Sequence, residues 1–138
     1  MSISNKTRAD VIGIVENTIP MILKKEMNKY RYYVHGTRAL NYYLPKKERL
    51  ETADWDLKFY GTSNELIEFV SNMKEKVGAK TKYSITAIKK DDNIIKLVVK
   101  LPVHDRESSR TTGWSFMQIY IDKTGNLRGK RSDIDGIW

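Results

Sequence analysis

Residues 54 to 60, Asp-Trp-Asp-Leu-Lys-Phe-Tyr, alternate polar and apolar side chains without a break. Successive side chains of a strand point to opposite faces, so Trp55, Leu57 and Phe59 share one face. Asp54, Asp56, Lys58 and Tyr60 share the other. The apolar set requires a covering layer of helices, which a strand with one bare face finds in a helix-backed sheet. Aspartate is disfavoured in strands, so the pair at 54 and 56 calls for a reason. Its Cα atoms stand about 6–7 Å apart at about 3.3 Å of rise per residue.

The covering helices are legible on both sides. Downstream, Thr62 and Glu65 form a capping box, and Leu66, Phe69, Val70, Met73 and Val77 make an apolar stripe. Gly78 stands where a C-cap belongs. Upstream, residues 7–29 read as helix: Thr7 and Asp10 resemble a capping box, and Val11, Ile12, Val15, Ile19 and Ile22 fall on one face. Pro20 interrupts that face and predicts a kink or two helical pieces. Between them, Tyr-Arg-Tyr-Tyr-Val-His-Gly-Thr (30–37) reads as a strand closed by Gly36. Thr37 then caps a short helix that Pro45 ends, and residues 45–52 form a charged loop.

The rest reads as β-structure. Residues 82–90 and 93–102 pair as a hairpin about a turn at Asp91-Asp92, 103–113 form a polar loop, and 114–122 form a last strand before a Lys-Thr-Gly-Asn turn. The order helix, strand, helix, strand, helix and three further strands predicts an α/β (α+β) fold, a mixed β-sheet with helices packed on it. At 138 residues a single domain over 1–138 is expected.

Composition narrows the chemistry. The chain has no cysteine, which excludes disulfides and thiolate zinc sites, and its two histidines, His35 and His104, are too few for a histidine metal cluster. No apolar run reaches the roughly 20 residues of a membrane span, and the N-terminus lacks a signal-peptide core, so an intracellular, cytoplasmic protein without membrane partners is expected. The net charge of +8 favours polyanionic partners, nucleic acid or nucleotide phosphates.

Two features carry candidate chemistry. The Asp54 and Asp56 carboxylates can converge on one or two Mg²⁺ ions, which take hard oxygen ligands and keep substrate phosphates as the others. The plainer alternative is a solvated strand face with Asp56 paired to Lys58. Upstream, Val34-His35-Gly36-Thr37 runs from strand directly into helix. There Gly36 allows close approach of a ligand, and the Thr37 hydroxyl can donate to a phosphate oxygen. A tight turn with an ordinary N-cap is the alternative for that segment.

In this order the two features resemble the DNA-polymerase-β-like nucleotidyltransferase superfamily, whose pattern is a strand ending in hydrophobic-Gly-Gly/Ser/Thr, a helix, and a strand bearing Asp-hydrophobic-Asp-hydrophobic. The longer phrase "GTRALNYYL…TADWDLKFYG" looks most like the catalytic subunits of poly(A) polymerases from large DNA viruses. The match spans residues 30 to 61, and His35 departs from the pattern's hydrophobic position. The resemblance implies a minimal nucleotidyltransferase-like palm using Mg²⁺ and a nucleoside triphosphate, with Gly36 and Thr37 on the triphosphate and Asp54 and Asp56 on the metal. It also implies a third carboxylate from a later strand. Asp122 is the acid on the last strand, while Gln118 has the better spacing and lacks the charge. At this length the chain would be a minimal domain, a subunit completed by a protein partner, or a degenerate homologue.

Weaker candidates remain. A second Asp-x-Asp occurs in Ser132-Asp-Ile-Asp-Gly136, where a turn is the simpler reading. Lys89, Lys90, Arg106, Arg110, Arg128, Lys130 and Arg131 are candidates for a phosphate-binding surface, with Trp114 or Tyr120 stacking a base. His35 reads as structural. Two functions follow: transfer of a nucleotide from a nucleoside triphosphate to an acceptor hydroxyl, or a catalytically degenerate module that binds nucleic acid or a protein partner.

Overall fold

The computed structural model describes residues 3–26, 29–50, 54–106 and 113–122. Helices α1 (Asn5–Gly13) and α2 (Ile19–Glu26) are joined by a π-helical segment, Ile14–Thr18. Strand β1 (Tyr32–His35), helix α3 (Thr37–Tyr42), strand β2 (Trp55–Phe59), helix α4 (Ser63–Lys80) and strands β3 (Ile85–Asp91), β4 (Ile94–Lys100) and β5 (Gly113–Ile121) follow. The strands form one mixed sheet in the order β1-β2-β5-β4-β3. Only the β2–β5 pair is parallel among them. A mixed sheet with helices packed on it was expected, and this is the architecture observed. No described helix is long and apolar enough to cross a membrane.

The alternation of β2 holds: Trp55, Leu57 and Phe59 are buried in one core with Phe69 and Met73 of α4 and Val11, Ile19 and Leu23 of the N-terminal helices. Helix α4 starts as its capping box dictates, with Thr62 accepting from the Glu65 backbone at 3.1 Å and Glu65 accepting from the Thr62 backbone at 2.9 Å. It does not end at Gly78 but runs through it to Lys80, where the Thr81 hydroxyl donates to the Val77 carbonyl. A side-chain cap on the last turn removes the need for a left-handed residue.

The N-terminal segment forms two α-helical pieces, as expected, and the break between them is the π-turn just ahead of Pro20. The missing N–H of Pro20 is accommodated by the π-turn: the Ile19 N–H donates to Ile14 rather than to Val15. The Val15 carbonyl, lacking both the Ile19 donor and any donor from Pro20, accepts instead from the indole Nε1 of Trp55 at 2.9 Å. The irregular turn and strand β2 are thus fastened to each other. The N-cap is Ser4, three residues before Thr7, and Ile12 lies outside the buried stripe at 48% exposure. Likewise Gly36, not Thr37, is the N-cap of α3, and Thr37 is its first residue. The β3–β4 turn falls on Asp92 and Asn93, with the Asn93 backbone donating to the Asp91 side chain at 2.7 Å. Within the expected charged loop 45–52, Lys46–Glu48 form a 3₁₀ turn.

Strand β5 contains the departure with the greatest consequence. Its register against β4 slips between Leu97, opposite Met117, and Val98, opposite Ser115, leaving Phe116 as an extra residue. Phe116 and Met117 therefore both enter the core, and Phe116 leaves the polar face on which strict alternation puts it.

Asp105 ties the chain's start to the sheet. Buried in a 3₁₀ turn after β4, it accepts from the Ser4 backbone at 2.8 Å and from the Thr7 hydroxyl, at the N-terminus of α1. These bonds, the Thr7 hydroxyl foremost, hold its carboxyl below the ordinary value of 3.8. A depressed acid contributes stability above its unfolded pKa and loses it as pH falls through the folded one. Asp105→Asn should therefore unfold at lower denaturant than wild type at pH 7, and the gap should narrow steadily as pH falls below 3.8. A gap of constant size across that acid range, read by circular dichroism, would assign the effect to packing instead.

Candidate functional site

The sheet has one face under the helices and one that no described element covers. On the open face two rows run across the strands in register. His35, Asp56, Gln118 and Lys96 form one, and Tyr33, Lys58, Tyr120 and Ile94 the next. Asp54 immediately precedes β2 and is exposed, whereas Asp56 is half-buried.

Gly36 and Asp56 meet. Gly36 has φ 76° and ψ −151°, a region open essentially to glycine, and a Cβ built on it would stand 2.6 Å from Asp56 Oδ2. The two sequence motifs are therefore one local structure, a carboxylate laid against a bare backbone where β1 gives way to α3. Burial pushes the Asp56 carboxyl above 3.8, the nearby imidazole of His35 opposes this, and the like charge of Asp54 adds to it.

His35, read from sequence as structural, faces Asp56 across the β1–β2 ladder. Burial lowers its pKa and outweighs the attraction of Asp56, so the imidazole is neutral at pH 7. Its Nε2 is buried without a hydrogen-bond partner, and its ring meets Tyr120 edge-on at 5.1 Å between centroids. Tyr120 donates to Gln118 Oε1 at 3.2 Å, and Tyr33 stacks on Tyr60 at 5.6 Å. His35 has a sequence signal, being the polar exception in an otherwise hydrophobic position before Gly36.

The register separates Asp122 from the pair. Gln118 is the residue opposite Asp56, and Asp122 lies four residues further along the parallel strand, about 13 Å away along its axis. There the Asp122 backbone donates to the Phe59 carbonyl at 2.9 Å, and Asp122 borders a pocket with Arg31, Tyr60 and Lys89. Among the described residues no three His, Asp or Glu side chains cluster closely enough to hold a metal. The site that geometry assembles is Gly36, Asp54 and Asp56, with Thr37 beside it and neutral Gln118 where a third acid is expected.

The weaker candidates disperse. Trp114 packs partly into the core beneath Arg8, Lys89 pairs with Asp92 at 3.3 Å, and Arg106 donates to the Leu101 carbonyl at 3.0 Å. Arg110, Arg128, Lys130, Arg131 and the Asp-x-Asp of 132–136 lie outside the described residues.

One residue escaped sequence reasoning altogether. Arg38, in α3, donates through Nε to the Asp54 carbonyl at 2.8 Å and through Nη2 and Nη1 to Glu16 at 2.7 and 3.3 Å. Its guanidinium lies 4.1 Å from the centre of the Trp55 ring. Its partner on the π-turn is 22 residues away, beyond any local pattern.

No protein-family model matches this chain, and no curated protein is similar to it.

Proposed function

We propose that the chain is a nucleotidyltransferase-fold domain that takes up a nucleoside triphosphate with Mg²⁺ where Gly36, Asp54 and Asp56 meet, and passes the nucleotidyl group to an acceptor hydroxyl, which loses its proton as the bond to the β-phosphate breaks and pyrophosphate leaves. The observation that carries this reading is the contact of Asp56 with Gly36, for which the chain accepts a glycine-only backbone and a carboxyl pushed toward its neutral form. Burial and the like charge of Asp54 both disfavour ionised Asp56, and a divalent cation would reverse both.

The donor set fits one such ion. Mg²⁺ is commonly held by one or two carboxylates together with substrate phosphates, and Asp54 and Asp56 offer two hard oxygen donors on one face. When bound, Mg²⁺ would neutralise phosphate charge and polarise the phosphoryl oxygens. Gly36 leaves room for the Asp56 carboxylate itself, and Thr37, the first residue of α3, offers a hydroxyl donor to a phosphate. Neutral His35 beside Asp56 adds no positive charge to compete with the ion.

Gln118 favours a second reading, in which the fold binds the nucleotide, a nucleic acid or a protein partner without transfer. An amide cannot replace an anionic ligand at the position opposite Asp56. Calorimetric titration with each Mg²⁺-nucleoside triphosphate, followed by label transfer from the α-phosphate to oligonucleotide, protein and small-molecule hydroxyls, tests the proposal. Absence of nucleotide binding by wild type would sink it; binding without transfer would leave the second reading. Gln118→Asp should tighten Mg²⁺-nucleotide binding about tenfold, or about 1.4 kcal/mol. Unchanged binding would mean that Gln118 does not border the ion.

A further inference from the structure

We infer that Arg38 is a positioning residue for the cation site, fixing Asp54 relative to Asp56 without touching the ion or the nucleotide. The inference rests on the reading of Asp54 and Asp56 as cation ligands. Its basis is where the strand ladder stops. Asp56 is in register with His35 on one side and Gln118 on the other, while the β2 pairing begins at Trp55. Asp54 thus lies beyond the ladder that holds its partner acid.

Arg38 fastens that point. Its side chain is 12% exposed and places three N–H donors on two targets, the Asp54 carbonyl and the Glu16 carboxylate. The guanidinium plane over Trp55 sets the height of the fork above the strand. Trp55 is itself anchored by its indole bond to the Val15 carbonyl, so the ring is tied to the same π-turn that supplies the Glu16 carboxylate. Gly36, two residues before Arg38, carries the other half of the site. One guanidinium therefore joins the Gly36 turn, the Asp54 backbone and the N-terminal helix. A lysine keeps the charge and the ring contact but not the planar fork.

The test is Mn²⁺ affinity, measured by electron paramagnetic resonance of the free ion at a temperature where circular dichroism shows every variant folded. Residues that orient metal ligands typically cost 10- to 100-fold in affinity when replaced. Arg38→Gln is expected to weaken Mn²⁺ about tenfold, Arg38→Lys by a similar amount, and Glu16→Gln by less. In an Asp54→Asn background Arg38→Gln should have little further effect, because Arg38 acts through Asp54. A merely structural role would lower the unfolding midpoint and leave the affinity of the folded protein unchanged. Wild type that binds Mn²⁺, with Arg38→Gln binding equally, overturns the inference alone. Should Arg38→Gln not fold, wild-type affinity in both Arg38→Lys and Glu16→Gln overturns it just as well. Wild type that binds no Mn²⁺ overturns both this inference and the reading on which it rests.

Discussion

Gly36→Ala is expected to destabilise the protein by about 2 kcal/mol, within the roughly 1–3 kcal/mol cost of a residue held in a glycine-only region. Two causes act together. A side chain at φ 76° and ψ −151° strains the backbone whatever the space around it. The new methyl would also meet Asp56 Oδ2 at 2.6 Å, so the carboxylate must turn away. Strain and collision are separable. In an Asp56→Ala background the collision disappears and only the backbone strain remains, so the same change should cost measurably less. Urea unfolding of the four proteins supplies the cycle. The same substitution should weaken Mg²⁺-nucleotide binding at least tenfold, since it displaces the Asp56 carboxylate. A neutral effect on both would remove the Gly36–Asp56 contact as the organising feature of the site.

The largest functional effect is expected from Asp54→Asn combined with Asp56→Asn. Mg²⁺-nucleotide binding should fall at least 100-fold, about 2.7 kcal/mol, because amides supply neither anionic ligand. Stability should move the other way. The folded state raises the Asp56 pKa, chiefly through burial and further through Asp54. An acid with a raised folded pKa holds its proton longer in the native state, so stability declines as pH rises through the window from 3.8 to that folded value. The double variant escapes this decline. Its advantage over wild type should be present at pH 7 and shrink to nothing below about pH 3, as unfolding curves at the two pH values would record. Loss of binding with gained stability is the signature of residues kept for a ligand rather than for the fold. Equal loss of both would make Asp56 a structural carboxylate.

Stability and binding pull apart in this way because the open face is polar where the covered face is not. The helix-facing side of β2 would tolerate no acid, and the other side carries two only because they lie at its end. The attraction by which His35 opposes the Asp56 shift belongs to the protonated imidazole, the form that burial of His35 disfavours.

Much of the architecture follows from short-range pattern. The alternation of residues 54 to 60 determines that one sheet face is covered and which residues face it. The Thr62–Glu65 box places the start of α4 because both bonds close within one turn of chain. The sequence of Gly36 and the Asp54–Asp56 pair marks the site, since each motif is set by its own backbone. What pattern does not contain is register between distant segments. The bulge that turns Phe116 into the core depends on the fit of β5 to β4, and alternation alone puts that residue on the wrong face. The distance from Asp56 to Asp122 depends on which residue of β5 stands opposite β2, and the sheet puts Gln118 there. Gly78 continues a helix because the Thr81 side chain closes the end that a glycine would otherwise have to close. The ties of Arg38 to Glu16 and of Asp105 to Ser4 join residues 22 and 101 positions apart. Local sequence determines which side chains share a face; only the packed sheet decides which of them meet.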